Sequence, residues 1–419
     1  DDLEARNRHI RTRTRMQLEL RLGKRPFLDL QTDFRDGIAT YAPFYYPVNV
    51  MKPGLLAWLD RSIADGRIPW GSAIVRGPLD DFPFHKTHSG HFEVVFGIED
   101  GHLDYRNDWP PLENIVADVR FHNNSLEFTG GTAGIYDTRL KALSARFDNL
   151  HPLSTLDIQG EARGPFDDSL RLLRETPLRE KYGSMLLESI GGGDGKLDLA
   201  FALPIARTGE FSLDGTLTLD KATLNNPGLG LDFTDIGGIV EITHEGISAR
   251  RLDALFLDSP IHSSISQSAW STRIHNYGVL DTRRIKRQFP FLSWLPVDGT
   301  SAWNLAVYVP RRRPGPARPL VVEARSALEG TRVSLPLGLG KAAEGTRSLD
   351  AKITLSDGRP RDIELTLDEL RLAAERIETG GWAARLQSPV ATGNLHLPDS
   401  TAQPIRADLE RISLQLDAT

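Results

Sequence analysis

The sequence predicts a mainly β protein: an extended antiparallel sheet of repeated modules, with a few amphipathic helices covering its edges. Three observations carry that prediction. In the first, a helix-like stretch twice gives way to a glycine and then to an alternating strand that stops at a proline, once from Gly195 to Pro204 and again from Gly299 to Pro310. Side chains alternate across a strand, so Leu197, Leu199, Phe201 and Leu203 share one face, as do Trp303, Leu305, Val307 and Val309. The second is the same apolar–polar alternation in 92–98, 115–121, 197–205, 211–219, 303–309, 363–367 and 412–416, with Gly, Asn, Asp and Pro between the runs. The third is a loose internal repeat, in which Ile98-Glu99 followed by Leu103 returns as Leu219-Asp220 with Leu224 and as Leu328-Glu329 with Val333. Each copy meets a proline soon afterwards, a pattern that fits a modular sheet better than a short solenoid repeat.

Three regions carry a helical period. Leu55, Leu59 and Ile63 line one face of 54–65, the stretch 167–190 is charged and amphipathic, and 281–295 combines basic residues with Ile285, Phe291 and Leu292. Pro177 should split the second, since it lacks an amide hydrogen and its ring clashes with the preceding turn, and Gly191-Gly192-Gly193 should end it. The modules then run as a partial first module over 1–65 with its helix, β modules over 66–190 and 191–295 that each end in a helical segment, and a truncated β module over 296–419. They are expected to share one continuous sheet.

Composition narrows the function classes. With 40% hydrophobic and 25% charged residues and a mean hydropathy of -0.30, no segment approaches the ~18 uninterrupted apolar residues of a membrane-spanning helix. The chain starts at Asp1 with no initiator Met and no signal-peptide pattern, and so reads as an internal fragment, outside which any anchor would lie. A formal net charge of -6 gives no general attraction to nucleic acid, and the basic run at Arg311, Arg312, Arg313 and Arg318 is interrupted by prolines, as in a solvated linker. The absence of cysteine excludes disulfides and thiolate metal sites.

Catalytic motifs are missing. No nucleophile elbow, phosphate-binding glycine loop, zinc-protease motif or dinucleotide fingerprint occurs, and no enzyme activity or cofactor is expected. His85, His88 and His91 form the most ligand-like cluster, but their spacing in a loop puts no two reliably on one face, so a solvated turn is favoured over a metal site. Gly192 to Gly195 lacks the alternating carboxylates of a calcium loop and reads as a turn. Asp167, Asp168, Glu175 and Glu188 fit a solvated helix face, and Trp58 and Trp294 fit packing of helices on the sheet.

A resemblance adds to this reading. Tyr45-Tyr46-Pro47-Val48, Leu55 to Asp60, and Arg76-Gly77-Pro78-Leu79-Asp80-Asp81-Phe82-Pro83-Phe84 resemble, in order and spacing, the periplasmic region of a large bacterial envelope protein of the AsmA-like family. The likeness continues through Asn107 to Leu112, Phe121 to Leu126, Glu175 to Leu178 and Leu217 to Ala222, and is strongest from about 45 to 310. It implies a long, curved and twisted sheet, open along one side as an apolar groove, in a periplasmic protein anchored to the inner membrane by an N-terminal helix absent from this chain. It implies phospholipid as the cargo, inner and outer membranes as partners through other parts of the protein, and no catalytic residue to transfer.

On this reading the lipid-binding residues are stripes rather than a triad: Leu197, Leu199, Phe201, Leu203, Phe211, Leu213, Leu217, Leu219, Trp303, Leu305, Val307 and Val309. The helices would cover parts of the groove or shield sheet edges from unwanted pairing. The alternative is an envelope assembly module, its apolar face buried by a second sheet and its surface bound to proteins of outer-membrane biogenesis. A third reading, a metal-dependent or carbohydrate-active enzyme, requires metal at His85.

Overall fold

A computed structural model describes residues 2–46, 48, 51, 53–84, 86–150, 155–180, 188–204, 212–311, 318–336, 338–356, 358–378, 380–399 and 404–412, with only the backbone of Leu55, Glu180, Leu203 and Pro204. Strands dominate, and every described pairing between them is antiparallel. The chain divides into two compact units, one of Asp1–Leu178, Gly195–Leu217 and Ile242–His244, the other of Arg179–Asp194, Thr218–Glu241 and Glu245–Thr419.

The first unit opens with β1 (Asp2–Arg6), β2 (Arg11–Glu19) and β3 (Phe27–Ile38). It continues through helix α1 (Pro53–Ser62), β4 (Ile63–Pro78), β5 (His91–Leu103), β6 (Leu112–His122), β7 (Ser125–Ile135), β8 (Thr138–Phe147), β9 (Thr155–Pro165) and helix α2 (Phe166–Glu175). From β1 to β9 each strand pairs with the next in sequence, forming a meander. Next come β10 (Ile190–Gly192), which belongs to the second unit, β11 (Asp194–Pro204), nearly all in the first, and β12 (Ser212–Asn226) and β13 (Leu231–Thr243), each divided between the units; β11 pairs with β9 and β10 with β12.

The second unit contains β14 (Gly246–Phe256), β15 (Ser259–Gln267), β16 (Ser271–Asp281), helix α3 (Thr282–Gln288), β17 (Val297–Pro310), β18 (Leu320–Ser326) and β19 (Thr331–Val333). It finishes with β20 (Leu349–Ser356), β21 (Arg359–Leu367), β22 (Leu370–Arg376), β23 (Trp382–Gln387), β24 (Ala391–Leu397) and β25 (Arg406–Ile412). Pairing again follows chain order, except that β17 is long enough to take β18 along one half and β19 along the other, which leaves β18 to pair with β20. Among the described residues β1 pairs with β2 and β25 with β24, each on one side, so the sheet does not close into a barrel.

Several strands outrun their expected ends for one reason. The alternation of 92–98 stops at Glu99, yet β5 continues to Leu103 because Asp100 takes a left-handed φ of 50° and the register shifts between Ile98 and Gly101. Such a bulge inserts a residue, bends the strand and lets pairing resume beyond it. The three repeat copies share a positive φ at this point: Asp100, Lys221 and Gly330 hold equivalent positions, at 50°, 52° and 80°, the first two within strands and Gly330 in the turn before β19. Gly330 and Gly299 also meet across β17 and β19. A Cβ on Gly299 would lie 2.3 Å from the Gly330 carbonyl, and Thr282 Oγ1, which caps the same point, bonds both the amide and the carbonyl of Gly299 at 3.0 Å. The glycine that begins the Trp303 strand is therefore a close-approach point.

The helix expected over 54–65 stops at Ser62, because Ile63 already belongs to β4 and pairs with Leu103. Within the segment expected over 167–190, α2 ends at Glu175 and a 3-10 turn follows at Pro177–Glu180, so the proline breaks the helix as expected, and 181–187 lie outside the described residues. Ile190–Gly192 is strand, not a helix end: Gly192 stands opposite Thr223, and a Cβ on it would come within 2.4 Å of the Thr223 Oγ1, so glycine lets the two backbones pair. The 281–295 segment resolves into α3 and a 3-10 turn at Pro290–Leu292, and Asp281 caps α3 by accepting a bond from the Arg283 amide at 2.9 Å. Beyond Ile412 the strand expected over 412–416 lies outside the described residues.

Candidate functional site: apolar sheet faces

Register shows which side chains share a face. In the second unit Ile265, Ile274, Val307, Val322 and Ile353 stand directly opposite one another across β15, β16, β17, β18 and β20. The row goes on through Ile363, Ala374, Ala384 and Leu395 on β21 to β24 without a polar member. A neighbouring row on the opposite face is its inverse: Tyr277, Asn304, Arg325, Asp350, Thr366 and Arg371 pair in sequence across β16 to β22. One side of these strands is hydrocarbon and the other is charged.

The first unit repeats the arrangement with aromatic residues. Phe34, Gly71, Phe96, Val119, Phe128 and Ala145 face one another across β3 to β8. Gly71 belongs there because the Phe34 ring lies over it, where a Cβ would be 2.2 Å from Cε2. On the other face Asp33, Ser72, Val95, Arg120, Glu127 and Arg146 pair in turn, with Val95 the single apolar member.

These faces are only partly covered. Val307, Leu305, Val322, Phe34, Phe96 and Phe128 are half-buried. In the second unit Phe291, Leu292 and Trp294 from the segment after α3 pack on Ile363, Leu372, Ala374, Trp382, Ala384 and Leu397, and Ile261, Trp303, Leu349, Leu367 and Leu370 on the same face are buried as well. Trp294 thus packs on the sheet as expected, and Trp58 of α1 is pinned by donating its indole N–H to the Tyr105 carbonyl at 3.0 Å.

Of the sequence-predicted stripe, Trp303, Leu305, Val307 and Val309 all lie on the apolar face, with Trp303 and Val309 buried. The Trp303 indole N–H has no hydrogen-bond partner among the described residues. Leu197, Leu199 and Phe201 on β11 are half-buried, whereas Asp198 and Ala200 between them are exposed. Gly215 leaves room for the first two, whose methyl groups would sit 3.4 and 3.5 Å from a Cβ there. Leu213, Leu217 and Leu219 are buried, while Phe211 and the side chain of Leu203 lie outside the described residues. The Phe34–Phe96–Phe128 row was missed, although its alternation is plain in 92–98. The apolar face has a polar notch, where the Ser263 hydroxyl donates to Asn276 Oδ1 at 2.6 Å.

The residues that first suggested chemistry have structural partners. Asp168 accepts from the Thr138 hydroxyl at 2.7 Å and the Asp137 amide at 3.0 Å, and Glu175 accepts from Tyr136 and Arg171, which ties α2 to the β7–β8 turn. His91 Nε2 lies 3.3 Å from Glu93, a carboxylate also paired with Arg120, and His85 lies outside the described residues. Among the described residues no group of three or more His, Asp or Glu side chains could hold a metal ion, and no helix is long and apolar enough to cross a membrane.

The fold and its faces define a class: antiparallel β proteins whose unclosed sheet keeps a half-exposed apolar side set against a charged one. The chain belongs to the YhdP protein family, whose family model matches residues 1–369. A relative, the intermembrane phospholipid transporter YhdP of Escherichia coli (strain K12), is 26% identical over 247 residues, which is 58% of this chain. The match spans 19% of that relative's length. No solved structure matches the chain.

Proposed function

We propose that this chain is a segment of a bridge-like lipid-transfer protein of the periplasm, carrying phospholipid acyl chains along its apolar β faces between inner and outer membranes. The observation that carries the reading is the apolar row through Val307, without a polar member from β15 to β24, half-buried from Ile265 to Ile353 and covered by protein at Ile363, Ala374 and Ala384, beside a polar row on the reverse side. Two acyl tails of roughly 30 methylenes at about 0.8 kcal/mol each hold a lipid in its bilayer by on the order of 25 kcal/mol, so passage through bare water is negligible. A strip of hydrocarbon that shields the tails and leaves the head group wet removes most of that barrier without any residue-specific contact. The Ser263–Asn276 notch, whose two polar groups bond each other, costs little along such a path.

No catalytic step enters this mechanism. The assembly-module alternative needs the face sealed by protein, and the half-exposure of Val307 and Phe96 favours lipid. The test is the phospholipid content of the chain purified without detergent. Phospholipid should co-purify, and Val307→Asp should lower it by about tenfold or more, because a carboxylate set against acyl chains goes unsolvated. Asn304→Asp, on the reverse face, should leave it unchanged. Equal losses from both, or no phospholipid in the folded chain, would count against the proposal.

A further inference from the structure

The apolar face of the second unit ends in charge at one corner. Along β22 the residues Leu370, Leu372 and Ala374 are followed on the same face by Arg376, which stands opposite Trp382, itself opposite Leu397. Arg376 forms a two-point pair with Asp399, its Nη2 donating to Oδ2 at 2.9 Å, while the Gly381 amide donates to the same oxygen at 3.0 Å. The Arg376 guanidinium lies 5.3 Å from the centroid of the Trp382 ring, which is fully buried. Between this corner and Phe291 is a half-open cleft of about 600 Å³, with Arg359 and Glu378 also on its rim. Both of these are exposed, and neither has an ion-pair partner among the described residues.

The cleft therefore joins two things a membrane lipid needs together: an apolar wall from the half-buried Phe291 with Pro290, and a rim of two cations and two anions. Resting on the phospholipid reading above, we infer that this cleft is a head-group subsite for a zwitterionic diacyl phospholipid, its phosphate beside Arg359 and Arg376 and its amine beside Glu378 and Asp399. A rim of balanced charge suits a zwitterion. An anionic head group would meet the two carboxylates with nothing to offer them, and a lipid without a head group would leave the rim unused.

The test uses the purified 419-residue chain and three defined probes: phosphatidylethanolamine, phosphatidylglycerol and diacylglycerol with matched acyl chains, each offered in vesicles and measured as lipid retained per chain. Phosphatidylethanolamine should be retained best. Arg376→Gln with Asp399→Asn should cut its retention about tenfold, the value of one or two charge-assisted hydrogen bonds, and leave diacylglycerol unchanged. Arg359→Gln, at an exposed position, repeats the test without touching the internal pair and should lower phosphatidylethanolamine retention in the same direction. Diacylglycerol bound normally, with phosphatidylethanolamine indifferent to the variants or phosphatidylglycerol retained equally, overturns the subsite and leaves the acyl-chain reading standing. Failure of the unaltered chain to retain any of the three overturns both.

Discussion

At the level of single residues, the molecule depends on a few large side chains where its apolar face is covered. Trp382 is fully buried among Ile363, Ala374 and Leu397 and touched by Phe291, and its indole N–H has no hydrogen-bond partner among the described residues. Trp382→Ala should destabilise the fold by about 3–5 kcal/mol, the usual cost of emptying an aromatic site, as read by urea unfolding. Half-exposed Val307 sets the contrast, since Val307→Ala should cost less than about 1.5 kcal/mol. The Arg376–Asp399 pair adds a pH dependence of definite sign. Arg376 holds the Asp399 carboxyl below the ordinary aspartate value, so the pair contributes above the unfolded pKa of about 3.9 and is lost as pH falls through the lower folded value. Preference for phosphatidylethanolamine should accordingly be flat from about pH 5 to 7 and fade only below about pH 4. A preference that titrated near neutrality would assign it to another group. Alternation revealed which residues share a face, as with Trp303 to Val309, but not which of them are covered, because cover comes from Phe291 and Trp294, brought back over the sheet by the fold.

At the level of elements, the recurring device is a residue of positive φ. Asp100 and Lys221 sit where alternation breaks, and each strand continues past them with its pairing restored. Period-two reading therefore found the start of β5 and lost its end, since one inserted residue inverts the pattern that the reading follows. The repeat itself was legible, and its shared feature, a positive φ in all three copies, is a backbone property that residue types only hint at. Gly330 is the copy where a side chain cannot be accepted: φ is 80° and a Cβ would lie 2.4 Å from the Thr300 carbonyl. Gly330→Ala should cost about 1–3 kcal/mol in chemical denaturation, whereas Lys221→Gly, at the equivalent position in β12, should be neutral or stabilising. Equal destabilisation by the two would show that the positions are not equivalent. Helical periodicity overran in the same way near residue 190, because Gly191 and Gly192 pair with Leu224 and Thr223 instead of ending a helix.

At the level of the whole molecule, each unit presents the same arrangement, a row of hydrocarbon on one side of the strands and a row of charge on the other. The chain's place in the YhdP family and its likeness to an intermembrane phospholipid transporter, together with these paired faces, support the acyl-chain path proposed above. The most direct test places a photoreactive side chain, one position at a time, at Leu199, Phe96 and Val307 and at Asp198, Arg120 and Asn304 on the reverse faces, in the protein within living cells. Phospholipid adducts at the first three and not at the second three are the predicted result. Protein adducts at Val307 and Phe96, or lipid adducts on both faces alike, would contradict an apolar path for acyl chains.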